Sequence, residues 1–306
     1  MHFIRCYLLY GFNNKTKVKN MNVLSLFDGM SCGQIALNKL GIKYDNYFAS
    51  EIDKYAIQVT QKNYPNTKQI GSVLDLKGED LPKIDLLFGG SPCQSFSNAG
   101  NGKGFEGKSG LFWEFARVLN EVKPKYFLLE NVKMKQEWKD IISKELGVEP
   151  IEINSSLVSA AHRRRLYWTN IPNIEQPKDK GVFIEDIIEE EENVDCKLWL
   201  KAKNTWQLLN KIDLKSCPNI AAIDVYNKKY KVDRKVPTLT LPNHNSLRLY
   251  QNGRVRKFSA TELELCHNIP IGYTDVYLTL NQRHSLLGNG WTVDVIAHIF
   301  KNIPLT

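Results

Sequence analysis

From Met21 onward, short apolar runs alternate with longer stretches of helical spacing. MNVLSLF (21–27), YFAS (47–50), IDLLFGG (84–90) and YFLLENV (126–132) are brief and almost continuously apolar, which predicts strands buried on both faces. Between them, DKYAIQVTQKNY (53–64) and GLFWEFARVLNEV (110–122) space their apolar residues three and four apart, which predicts helices. Strand and helix in alternation predict an open α/β sheet of parallel strands with crossover helices. Ligands bind such a sheet beyond the carboxyl ends of its strands. Chemistry is therefore expected in the loops that follow these four runs.

The pattern breaks after RRRLYWTNI (163–171). Pro172 and Pro177 interrupt it, EDIIEEEENVD (185–195) is an acidic run, and a segment without clear periodicity follows, which predicts a second, smaller lobe. Helix signals return at SATELELCHNI, where Ser259 stands three residues before Glu262 as a capping box does, and continue through NQRHSLLGNGWTVDVIAHIF. Four segments result: an N-terminal extension over 1–20, read as disordered with Met21 as an alternative start; an α/β domain over 21–173; a lobe over 174–235; and a return to the first domain over 236–306.

Charge sharpens this division. Residues 197–257 hold ten Lys and four Arg against three Asp and no Glu, or +11, while the whole chain carries +8, so the remainder is slightly acidic. A basic window interleaved with Trp199, Trp206, Tyr226, Tyr230 and Tyr250 suits a polyanion surface better than an ordinary solvated face. The six cysteines are scattered without C-x-x-C pairs or Cys/His clusters at metal spacing, so neither a disulfide framework nor a metal site is expected. No apolar run reaches the ~20 residues of a membrane span, and the sequence reads as intracellular.

Each strand end carries candidate chemistry. FDGMSCG follows the first, where Gly29 and Gly33 let the backbone turn closely around a ligand, but Ser31 breaks any G-x-G-x-x-G fingerprint. Glu51 in SEID lies twenty-two residues after Gly29, where α/β folds hold ribose hydroxyls, and Asp75 in GSVLDL is expected at the third strand's tip. These loops describe an adenosine pocket without a phosphate cradle, which suits S-adenosylmethionine better than a dinucleotide. Cys93 in GGSPCQSFS is a candidate nucleophile, followed to Gly110 by polar, glycine-rich sequence that reads as a lid. LLENV offers Glu130 as its acid partner, and AAHRRRLYW places Arg163 and Arg165 on one face of a strand.

The ordered set FDGMSCG, SEID, GGSPCQSFS, LLENV, AAHRRRLYW and GNGWTVDVI resembles the motifs of the cytosine carbon-5 DNA methyltransferase family, over nearly all of 21–300. LSLFDG, VSAAHRRR and IPIGYTDV are closer in wording to the eukaryotic de novo subgroup, whereas PCQ is common to bacterial and phage members. The resemblance implies a Rossmann-like methyltransferase fold and methyl transfer from S-adenosyl-L-methionine to carbon 5 of a cytosine flipped out of double-stranded DNA. It assigns Cys93 to attack on carbon 6, Glu130 to ring nitrogen 3, and Arg163 and Arg165 to fixing the ring. It gives the cofactor Phe27, Asp28, Gly29, Gly33, Glu51, Ile52, Asp75, Pro92 and Asn289. Residues 174–235 become a target-recognition lobe. A cytoplasmic, nucleoid-associated setting in a bacterial or phage-infected cell follows, with no metal and no membrane. A homodimer and a cognate restriction endonuclease are left open.

Two departures stand out. Ala161 and His162 occupy the start of the family's Q-x-R-x-R, so a glutamine contact is missing or replaced by His162, and Gly290 replaces the polar residue that commonly follows the asparagine of the last motif. A transfer RNA cytosine-5 methyltransferase is the nearest alternative, although its Cys-Phe-Thr signature is absent, and a catalytically silent DNA-binding relative is a second.

Overall fold

The computed structural model describes residues 21–92, 110–212, 217–241 and 247–304. The first half builds a seven-stranded sheet from β1 (Met21–Leu26), β2 (Tyr44–Ser50), β3 (Lys68–Gln69), β4 (Leu86–Gly89), β5 (Tyr126–Val132), β6 (Ile151–Asn154) and β7 (Arg164–Thr169), in the order β3-β2-β1-β4-β5-β7-β6. All neighbours run parallel except β7, which pairs antiparallel with both β5 and β6. The expectation of parallel strands therefore needs one correction. The β6–β7 hairpin returns on itself, and β7 slots in beside β5.

Helices α1 (Cys32–Lys39), α2 (Lys54–Asn63), α3 (Leu111–Val122) and α4 (Gln136–Leu146) connect the strands. Successive strand residues alternate between two cores: Val23, Leu86, Phe88 and Leu128 face one, while Leu24, Leu26, Leu87 and Leu129 face the other. Burial on both faces is what makes these strands read as unbroken apolar runs. Chain direction across the sheet reverses between β1, which leads outward to β2, and β4, which starts the other half. The crevice at that point is where such sheets bind ligands.

Among the described residues, Gly33 belongs to this packing and is not part of the lining of the cavity beyond the strand ends. A Cβ there would sit 2.3 Å from the Phe88 ring, so α1 lies against β4 with no room for a methyl group. Gly33→Ala is expected to cost about 1–3 kcal/mol through overpacking, measurable as a lower midpoint in thermal or urea unfolding.

The second lobe is organised although its sequence showed no period. Helix α5 (Ala202–Leu209) packs on a four-stranded antiparallel sheet of β8 (Ile220–Asp224), β9 (Lys229–Tyr230), β10 (Leu247–Gln251) and β11 (Arg254–Arg256), in the order β11-β10-β8-β9. This sheet starts within the 174–235 segment and ends beyond it. Part of the basic surplus is also internal to the fold. Arg256 and Glu262 form a fully buried pair at 2.5 Å, Arg234 pairs with Glu185 and Arg254 with Glu191, so the acidic run lies along the basic window. Lys235 is buried, its Nζ donating to the carbonyls of Ser156, Ser159 and Val182.

The chain then returns through α6 (Ala260–Cys266), α7 (Leu280–Asn289) and α8 (Val293–Phe300). The Ser259–Glu262 capping box is present, and Thr279 with Gln282 forms a second at α7. Helix α8 closes the sheet's first face, with Phe300 against Phe88. No helix among the described residues is long and apolar enough to cross a membrane.

Candidate active site

The crevice opens into a cavity of about 410 Å³, within the ~300–1,000 Å³ range of small-molecule sites. Strand order divides its walls. Phe27 to Met30 after β1, Ser50 to Asp53 after β2 and Ser72 to Leu74 after β3 form one side; Gly90 to Pro92 after β4, Glu130 and Val132 of β5, Arg163, Arg165 and the Gly288 to Trp291 turn form the other.

On the first side the backbone turns sharply. Phe27, Gly29 and Ser31 all take left-handed φ angles of 55° to 61°. That conformation is free for glycine and costly for the other two. Glu51 ties the turn to β2: its Oε2 accepts from the Gly29 amide at 2.7 Å, and its Oε1 accepts from Ile52 and Asp53 at 2.7 and 2.8 Å. A carboxylate has about four acceptor positions, so three amides leave capacity for a ligand hydroxyl. Ile52 and Leu74 project apolar side chains from this wall, 77% and 63% exposed. Asp75 does not join them. Strand β3 ends at Gln69, five residues earlier than the sequence reading needed, and the following turn exposes Asp75 while Ser72, Val73 and Leu74 reach the cavity.

Asp28 is the unusual acid of this wall. Burial pushes its carboxyl up to about 6, partly offset by hydrogen bonds from Ser31 and from the Tyr47 hydroxyl at 2.6 Å, while the Glu51 charge pushes it further up. Its folded value thus lies above the 3.8 of an unperturbed carboxyl. The folded state holds the proton more tightly, so stability from this group is fully present below pH ~4 and is lost as pH rises through about 6. Asp28→Asn is expected to flatten the pH dependence of stability between 4 and 7 by on the order of 2–3 kcal/mol. Paired denaturant titrations of both proteins across that range check this.

On the second side, Glu130 is buried and held twice. Arg165 Nε lies 2.9 Å from Oε1, and the Trp291 indole donates to Oε2 at 3.2 Å. A Cβ on Gly90 would stand 2.9 Å from both Glu130 Oε2 and Trp291 Nε1, so only glycine lets the chain leaving β4 pass this close to the acid. Arg163 is buried beside them, its Nη1 donating to the Gly288 carbonyl at 3.2 Å. Arg163 and Arg165 thus face the cavity together, while Arg164 between them is exposed. His162 is turned away, with Nε2 2.7 Å from Asp233 and Nδ1 3.2 Å from Asn154, and it lines no part of the cavity.

Pro92 lines the cavity, as does Asn289; Cys93 lies outside the described residues, with the rest of the expected lid to Ser109. Cys32 also reaches the wall, but burial pushes its thiol up to about 12, which keeps it protonated. Trp291 is the site residue that sequence reasoning passed over. Its position inside GNGWTVDVI, next to the asparagine already chosen, was the available signal.

Comparison with known proteins agrees with this geometry. Residues 21–146 match the model of the family described as C-5 cytosine-specific DNA methylase. The chain is 35% identical over 205 residues to the orphan methyltransferase M.SPRI of Bacillus phage SPR, a match covering 64% of this chain and 45% of that protein. It is 25% identical over 317 residues to the type II methyltransferase M.HhaI of Haemophilus parahaemolyticus, covering 94% of this chain and 95% of that one. The chain spans less than half the length of the phage relatives it matches. Among solved structures, the methyltransferase EhMeth of Entamoeba histolytica superposes with a TM-score of 0.69 at 17% identity over 93% of this chain and 98% of its own, a likeness of fold.

Proposed function

We propose that this chain, which carries a C-5 cytosine-specific DNA methylase domain over residues 21–146, transfers a methyl group from S-adenosylmethionine to carbon 5 of cytosine in duplex DNA. The observation that carries the reading is the second wall of the cavity, where one buried acid is clamped between Arg165 and Trp291, beside Arg163 and the residue before Cys93. The cavity suits an adenosine-bearing donor. Glu51 has acceptor capacity for ribose hydroxyls, and Ile52 and Leu74 offer apolar faces to an adenine ring. Phe27, Asp28, Gly29, Pro92 and Asn289 complete the walls. When bound, S-adenosylmethionine supplies an electrophilic methyl group on a sulfonium.

The residues supply the rest. Carbon 5 of cytosine is a poor nucleophile, and covalent addition of the Cys93 thiolate to carbon 6 makes it enamine-like. Glu130 takes up a proton from solvent as the base enters and donates it to ring nitrogen 3, so that addition does not leave a negative ring. Arg165 fixes the Glu130 carboxyl, and Arg163 is poised to bind the exocyclic oxygen of the ring. After methylation a base removes the carbon-5 proton, the bond from sulfur to carbon 6 breaks, and the nitrogen-3 proton returns to Glu130. Because a stacked cytosine cannot enter a cavity of this kind, the base is flipped out of the duplex.

The test is incubation with isotope-labelled S-adenosylmethionine and either mixed-sequence duplex DNA or transfer RNA, followed by nucleoside mass spectrometry. Label in 5-methyldeoxycytidine is the expected result. Label confined to RNA nucleosides would replace this reading.

A further inference from the structure

Helix α5 rests one side on the small lobe, without fully burying any residue, and presents the other. Leu208 and Leu209, with Leu200 ahead of the helix, pack against Ile212, Ile223 and Val255 of the small lobe. At about 100° per residue the opposite side carries Lys203, Trp206, Gln207 and Asn210, all exposed, Trp206 at 66%. From Lys197 to Ile212 there is no acidic residue, and Lys197, Lys201, Lys203 and Lys211 are all exposed. The tip of the β8–β9 hairpin adds exposed Tyr226, Lys228 and Lys229, and it neighbours the helix, since Val225 and Tyr230 share the core formed by Leu208 and Leu209.

Charge, shape and side-chain chemistry agree on one occupant. A helix whose lysines have no carboxylate among them between Lys197 and Ile212 suits a phosphate backbone. An α-helix with its side chains is ~10–12 Å across, and the B-form major groove is ~12 Å wide. Carboxamide side chains such as Gln207 and Asn210 pair bidentately with adenine N6 and N7, and an apolar ring meets the thymine methyl. The deep, narrow major groove of A-form RNA would not admit the helix.

We infer that α5 enters the major groove of the substrate duplex, where Gln207 and Asn210 read base edges, Trp206 makes apolar contact and the lysines bind flanking phosphates. The inference rests on the DNA reading proposed above. At ~3.4 Å per base pair the helix spans three to four pairs. The target therefore includes at least one A·T pair within that distance of the region α5 contacts.

The test is methylation of a randomised duplex library by the full chain and its variants, followed by sequencing of the modified sites. The wild type is expected to select a context containing an A·T pair. Gln207→Ala with Asn210→Ala should reduce the preference at that position about tenfold or more, since a bidentate pair discriminates by ~1–3 kcal/mol. Gln207→Glu should move the preference there toward cytosine, whose amino group a carboxylate accepts, and misfolding cannot mimic such a gain. Lys203→Ala should weaken binding to all sequences and lower the salt slope by about one. Duplex methylation with unchanged preferences in the glutamine variants would overturn the role of α5 alone. Label in RNA only, or in neither substrate, would overturn the DNA reading and α5 with it.

Discussion

Cys93→Ser is expected to bind S-adenosylmethionine and duplex DNA close to wild-type affinity while losing turnover by on the order of 10⁴-fold or more. A serine hydroxyl is almost fully protonated at neutral pH and a weak nucleophile toward an aromatic ring, whereas a thiol needs little help to ionise. Among the described residues, Cys32 is the cysteine that lines the cavity, and it cannot substitute, because burial holds its thiol up at about 12. Single-turnover methyl transfer, measured beside equilibrium binding, separates the two effects. Retained turnover would remove the covalent mechanism.

Glu130→Gln should lower the rate of methyl transfer by about 10²–10⁴-fold, the usual weight of a positioned general acid. Glutamine keeps the size of the side chain and can still accept from Trp291, so the cavity should hold its shape. The stability effect is separate. Removing the charge leaves the nearly buried Arg165 guanidinium without its carboxylate, which costs up to about 3–5 kcal/mol where such a pair is well desolvated. Rates should therefore be taken well below the unfolding midpoint of the variant. A variant that folds, binds both substrates and turns over at the wild-type rate would show that Glu130 holds Arg165 without donating a proton.

Much of this site was legible because strand ends are legible. Four apolar runs located β1, β2, β4 and β5, and the residues directly after or within their ends, Phe27 to Gly29, Glu51, Pro92 and Glu130, all reach the cavity. Local spacing was also enough to bring Arg163 and Arg165 to the same cavity, although Arg163 stands just before β7. Asp75 failed for a local reason. Strand β3 has only two residues, Lys68 and Gln69, so no apolar run marked its end, and a turn shifted the cavity contact to Ser72, Val73 and Leu74. At Gly33 one sequence pattern serves both close ligand approach and close helix packing, and the position of Phe88 accounts for the packing. The antiparallel insertion of β7 depends on pairing between distant strands, which local sequence does not encode. In the small lobe, the fully buried pair of Arg256 with Glu262 takes inside a charge that had looked like surface, while Arg234 stays exposed but is paired with Glu185.

The central claim, that Cys93 bonds to the cytosine ring within this cavity, is tested most directly with a duplex carrying 5-fluorocytosine at the target position. Fluorine on carbon 5 cannot leave as a proton does, so elimination is blocked and the bond from sulfur to carbon 6 persists. With S-adenosylmethionine present, mass spectrometry of the digested complex should find the methylated fluorocytosine nucleotide on the peptide containing Cys93. Absence of any adduct on a duplex that the enzyme methylates in its ordinary form, or an adduct on another residue, would contradict the account.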